Sequence, residues 1–101
     1  MTPAHAHAIL VASQPADRGT LAAGSDEVRL QFNSRIDKQR SRLTLEGTNA
    51  RMVLPLEPGQ PPDILAAKVE LTPGTYVVHW QALATDGHMT HGDVRLTVTT
   101  K

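Results

Sequence analysis

The chain of 101 residues contains no cysteine, which removes disulfides, thiolate metal ligands and thiol nucleophiles together. Aromatic residues are scarce: one Phe, one Tyr and one Trp form no stacking platform for single-stranded nucleic acid. Neither sign of charge is in excess, because ten Lys and Arg balance ten Asp and Glu. Without a net field, steering toward nucleic acid or an anionic membrane is not expected. Long apolar runs are missing as well. The longest near the start, residues 8–12, is a strand's worth and falls far short of the roughly 18 residues of a membrane span, so no membrane insertion is expected.

What the sequence does have is alternation. Val28, Leu30 and Phe32 are interleaved with Arg29, Gln31 and Asn33, a period of two that puts three apolar side chains on one sheet face. Leu43 and Leu45 repeat the pattern, and Gly47-Thr48-Asn49 supplies a turn before Met52, Val53, Leu54 and Leu56, which predicts a hairpin. Ile9-Leu10-Val11 forms a first short strand, followed by a polar turn region, residues 13–19. Pro55, Pro58, Pro61 and Pro62 make the middle of the chain unsuitable for helix or central strand, so a loop is expected at 57–63. Leu65, Val69 and Leu71 mark a less regular stretch. Beyond Thr72-Pro73-Gly74, Tyr76, Val78 and Trp80 share one face, with Val77, His79 and Gln81 on the other; Val94, Leu96 and Val98 point inward from the last strand. Seven short strands without a sustained helical period predict an all-β domain, either an antiparallel sandwich or a small Greek-key barrel, immunoglobulin-like or cupredoxin-like.

Histidine is the residue in surplus. Four of the five fall in two clusters, His5 with His7 and His88 with His91, the second flanked by Asp86 and Asp93. Imidazole and carboxylate in a loop suit a divalent transition metal, with Cu(II) at the top of the affinity order, whereas Ca(II) would want more oxygen ligands. Gly87 lets the backbone turn between Asp86 and His88, although Asp-Gly-His also reads as an ordinary turn. His79 is expected to be a solvent-facing strand residue, and Met89 a hydrophobic plug. At the start, Ala4-His5-Ala6 has the small-x-small form of a signal-peptidase site, so residues 1–6 read as a residual processing segment or tail and residues 7–101 as a single β domain.

These residues, in this order, resemble the CopC family of periplasmic copper-binding proteins. The resemblance is carried by His7, Leu10-Val11, Ser13-Gln14-Pro15-Ala16, Leu30-Gln31-Phe32, Pro73-Gly74-Thr75-Tyr76, Trp80, Asp86-Gly87-His88 and Gly92. It implies a Cu(II) site where the amino terminus meets the loop before the last strand, with His7, Asp86 and His88 as ligands and His5 and His91 as lesser candidates. Some relatives add a carboxylate where Ser34 stands here. Others carry a Met-rich Cu(I) segment in the region 37–54, where this chain has only Met52, so no dedicated Cu(I) site is expected. A chain beginning at His7 would offer both α-amine and imidazole to Cu(II), whereas cleavage after Ala4 would leave His5 first and His7 third.

The function implied is a periplasmic copper carrier or buffer in copper resistance or homeostasis, monomeric and without a catalysed reaction. Its expected partners are the copper ion and an inner-membrane copper transporter of the CopD type. The competing reading is an immunoglobulin-like interaction module of a copper transport system that has no stoichiometric metal site of its own. A copper-dependent oxidative enzyme ranks last, because a chain this short lacks a substrate platform.

Overall fold

A computed structural model describes residues 8–100. Among the described residues there are eight strands and no helix: β1 (Leu10–Gln14), β2 (Gly19–Ala22), β3 (Gly24–Phe32), β4 (Arg42–Glu46), β5 (Arg51–Leu54), β6 (Ile64–Leu71), β7 (Gly74–Leu83) and β8 (Met89–Thr99). They form two sheets, one ordered β1-β3-β6 and the other β2-β8-β7-β4-β5. The all-β expectation holds, in its sandwich form.

Alternation places the core as the sequence predicts. Val28, Leu30 and Phe32 from β3 meet Leu43 and Leu45 from β4, Val78 and Trp80 from β7, and Val94, Leu96 and Val98 from β8; all are buried. The β4–β5 hairpin forms around residues 47–50, with Leu43 opposite Leu54, and the proline-rich segment lies between β5 and β6. Trp80 packs edge-on against Phe32, with ring centroids 5.2 Å apart and planes at 70°. It also lies directly over Gly92, its partner across the β7–β8 ladder, where a Cβ would come within 2.6 Å of the indole. Only glycine fits that rung.

Three expectations are corrected. The count is eight strands rather than seven, because β2 emerges from the end of the polar stretch and pairs in parallel with β8. Its four residues bury little, so no alternating signature announces it. The turn region is correspondingly shorter: Ser13 and Gln14 still belong to β1 and Gly19 opens β2, while a cis Gln14–Pro15 bond lies between. The stretch around Leu65 is a regular strand of eight residues whose first four, Ile64, Leu65, Ala66 and Ala67, are all buried. Burial on both faces erases the period of two that would have marked it. From β2 the chain crosses to the other sheet through Ala23 alone, and Gly24, at φ 130°, supplies a backbone geometry that a side chain would resist.

On the outward face of the larger sheet, His79 is held at both ends. Its Nδ1 lies 2.6 Å from Asp93 Oδ1, directly across the β7–β8 ladder, and its Nε2 lies 2.6 Å from Glu46 Oε1 on β4. Arg51 approaches the same Glu46 oxygen at 4.0 Å. The outward orientation matches the expectation, but the side chain is half-buried rather than bathed in solvent. Carboxylates only accept hydrogen bonds, so both contacts are satisfied only by imidazolium, which donates from both nitrogens. The bonds to Glu46 and Asp93 accordingly raise the His79 pKa above its ordinary value, against a smaller opposing effect of burial.

A group whose pKa is higher folded than unfolded stabilises the fold fully below the unfolded value, roughly 6.5, and loses that contribution as pH rises through the folded value. The expected result is that His79→Gln costs stability at pH 6 and much less at pH 9. Paired urea denaturation of the unchanged chain and the variant at both pH values checks this; a difference independent of pH would contradict it.

Candidate metal centre

The connection between β7 and β8 is tight because its backbone is closed on itself. Ala84 N–H donates to His88 O at 3.0 Å, and Gly87 N–H donates back to Ala84 O at 2.9 Å. Gly87 adopts φ 89°, the left-handed region that the turn needs and a side chain would strain. The base of the loop is fixed from outside as well: Ile36 bridges Ala84, and Asp37 N–H donates to Leu83 O.

Within this frame Asp86 grips His88 twice. One carboxylate oxygen, Oδ1, accepts the backbone N–H of His88 at 3.0 Å, and the other, Oδ2, lies 2.9 Å from the imidazole Nδ1. Because the carboxylate accepts, the proton of the neutral ring sits on Nδ1 and the lone pair on Nε2. A carboxylate that fixes an imidazole in this way selects the nitrogen that binds metal and holds the ring in orientation. The His88 side chain is well exposed at 62%, while Asp86 is partly covered at 26%.

Of the five candidate ligands, the structure brings Asp86 and His88 together. His5 and His7 lie outside the described residues. His91 stands on β8 opposite Gln81, exposed, three residues and therefore at most about 11 Å along the chain from His88. Met89 is 46% exposed rather than plugging the core, because its position on β8 faces away from the sandwich. Among the described residues no group of three or more His, Cys, Asp or Glu is arranged to hold a metal ion. Glu46, His79 and Asp93 are not such a group, since the two carboxylates occupy opposite ring nitrogens. The Asp86–His88 pair thus offers an imidazole nitrogen and a carboxylate at one end of the sandwich, a donor set that suits a borderline transition metal and needs further donors to complete it.

Two residues at this end escaped the sequence reading. Asn33, just past β3, accepts the Ile9 N–H on Oδ1 at 2.8 Å and donates its own N–H to Ile9 O at 3.0 Å. Thr90 on β8 donates from its hydroxyl to Ala8 O at 2.7 Å. The signal for Thr90 was present: it is a polar side chain on the inward register of a strand whose other inward residues are Gly92, Val94, Leu96 and Val98.

A model of the CopC domain matches residues 10–99. The chain belongs to the CopC family. Its fold is similar to the crystal structure of CopC from Methylosinus trichosporium OB3b, with a TM-score of 0.80 and 27% identity over 93% of this chain and 95% of that one. It is also similar to PcoC, a methionine-rich copper resistance protein from Escherichia coli, with a TM-score of 0.74 and 28% identity over 93% of this chain and all of PcoC (100%). By sequence, protein YobA of Escherichia coli strain K12 is 29% identical over 98 residues, 92% of this chain and 79% of YobA.

The loop geometry has a direct readout in this CopC-family chain. Long-range proton–nitrogen NMR of the metal-free protein above pH 8 is expected to find His88 as the Nδ1–H tautomer, and Asp86→Ala to shift it toward Nε2–H. An Nε2–H ring in the unchanged chain would contradict the orienting role of Asp86.

Proposed function

We propose that this CopC-family protein is a periplasmic Cu(II) carrier or buffer in copper resistance or homeostasis, with His7, Asp86 and His88 forming the metal site. The observation that carries the reading is the doubly bonded Asp86–His88 pair, in which one carboxylate holds both the backbone N–H and the imidazole Nδ1 of His88 within a closed loop. Copper is favoured over other divalent ions by the nitrogen-rich donor set and by the likeness to PcoC, whose name describes a copper resistance protein. Cu(II) is favoured over Cu(I) because thioether ligands are scarce, with three Met in the chain and Met52 alone in the stretch 37–54. Periplasmic residence rests on the family resemblance and on the Ala4-His5-Ala6 pattern.

In this reading His88 is a direct ligand through Nε2. Asp86 orients it, and the carboxylate charge supports a bound dication. His7 supplies imidazole, joined by the α-amine wherever the chain starts at that residue, so that one residue closes a chelate on tetragonal Cu(II). His5 and His91 are held as secondary ligands. Release to a membrane copper transporter of the CopD type, by a monomer, completes the proposed role; no bond of a substrate is made or broken.

Competition titration with a chromophoric Cu(II) chelator at pH 7.5 tests the assignment. The unchanged chain is expected to take up one equivalent, His88→Ala to lose high-affinity binding, and Asp86→Asn to weaken it about 10–100-fold. A chain beginning at His7 is expected to bind more tightly than the Met1 form, and N-acetylation to reverse the gain. No stoichiometric uptake by any form would overturn the carrier reading and favour the interaction module.

A further inference from the structure

The outer face of the smaller sheet carries a cleft that neither Asp86 nor His88 lines. Val28, Leu30 and Phe32 point into the core, so Arg29 and Gln31 between them face outward. They share rungs with Gln14 and Ala12 of β1 on one side and with Ala66 and Ile64 of β6 on the other. The proline-rich segment 57–63 closes the β6 side of this face. Glu57 N–H donates to Ala66 O at 2.7 Å, and Gln60 Oε1 accepts from Arg29 Nη1 at 2.7 Å. Lys38 Nζ ties the segment down, donating to Gln60 O at 2.9 Å and to Pro61 O at 2.6 Å. The resulting cleft, about 380 Å³, has apolar surface from Ala12, Pro61 and Ile64 and polar groups from Arg29, Gln31 and Asp63. Arg29 is the unusual member. It is half-buried, its Nη1 rests on a neutral amide, and among the described residues no ion pair joins its guanidinium to a carboxylate. Asp63 lines the same cleft, but its Oδ2 accepts from Gln31 Nε2 at 3.5 Å. Burial lowers the Lys38 pKa, Asp63 opposes that lowering and Arg29 adds to it, so the three charges share one neighbourhood. Arg29 and Lys38 together outweigh Asp63 by one positive charge, and a cation drawn partly out of water without a counter-charge is costly.

We propose that this cleft binds a carboxylate carried on a short apolar stem. Arg29 receives the carboxylate through the N–H donors that Gln60 does not engage, and the stem lies against Ala12, Pro61 and Ile64. A guanidinium presents its donors in a rigid planar fork that matches two carboxylate oxygens at once, which an ammonium cannot do. Gln60 holds that fork before the ligand arrives, so less side-chain freedom is lost on binding. The excess of one positive charge suits a monoanion. A small free acid and an acidic side chain of another chain offer the same group, and the probes below separate them.

The test follows the Arg29 Nε–H signal and the side-chain amides of Gln31 and Gln60 by proton–nitrogen NMR of the full chain at constant ionic strength. The probes are butyrate, its neutral counterpart butyramide, and a glycine-glutamate-glycine peptide blocked at both ends. Butyrate is expected to shift these signals saturably with a millimolar dissociation constant, and butyramide to leave them in place. Arg29→Gln is expected to lose the binding. Asp63→Asn keeps the shape of the side chain while removing the competing charge, so it is expected to bind butyrate more tightly, a gain that a merely structural role for Arg29 and Asp63 would not produce. Saturation by the blocked peptide would place the carboxylate on a partner chain, whereas saturation by butyrate alone would place it on a free acid. The proposal is overturned if neither carboxylate probe saturates, if butyramide shifts the signals as butyrate does, if Arg29→Gln retains the binding, or if Asp63→Asn binds more weakly than the unchanged chain.

Discussion

The register of β7 against β8 is the constraint on which this molecule depends, and the seating of Trp80 on Gly92 is what fixes it. A slip of one residue would drive the indole into a side chain and would turn every inward residue of β8 toward solvent. Once the rung is set, the rest follows along the ladder. His79 falls opposite Asp93, Thr90 falls inward opposite Ala82, and Leu83 and Met89 are brought together so closely that residues 84–88 must turn within a few bonds. The loop that offers Asp86 and His88 is a by-product of a packing decision made several residues away in the core.

The two histidines that the structure describes in most detail show how the same side chain is assigned opposite tasks. His79 has a carboxylate oxygen at 2.6 Å from each ring nitrogen, which fastens it in its charged form as a clasp across β4, β7 and β8. A ring engaged in this way has no lone pair to give a metal. His88 has the Asp86 carboxylate at Nδ1, and that contact holds the ring in the tautomer whose Nε2 can act as a donor. Counting histidines and nearby acids cannot separate these environments; the placement of each acid against the ring, across neighbouring strands or two residues away in a turn, does.

Much of the fold was legible because strands buried on one face carry a period of two. Val28, Leu30 and Phe32, then Val94, Leu96 and Val98, disclosed their inward faces in this way. The failures have physical causes. β6 begins with four consecutive buried residues and shows no period, while β2 buries too little to show any. At the candidate site, the pairing of Asp86 with His88 was readable from the turn residue between them, since Gly87 marks where the backbone folds back. The clasp of Ala8 by Thr90 was not, because it spans 82 residues of sequence and depends on which strand end meets which. The likeness to the CopC family supplied the roles that spacing alone left open, above all that of His7.

The central claim is that copper is held jointly by the amino-terminal segment and the β7–β8 loop. Pulsed electron paramagnetic resonance of the one-to-one Cu(II) complex tests it most directly, because remote imidazole nitrogens modulate the echo and can be counted. The account predicts two coordinated imidazoles in the unchanged chain and one in both His7→Ala and His88→Ala. A single imidazole in the unchanged chain, or two retained in either variant, would contradict it.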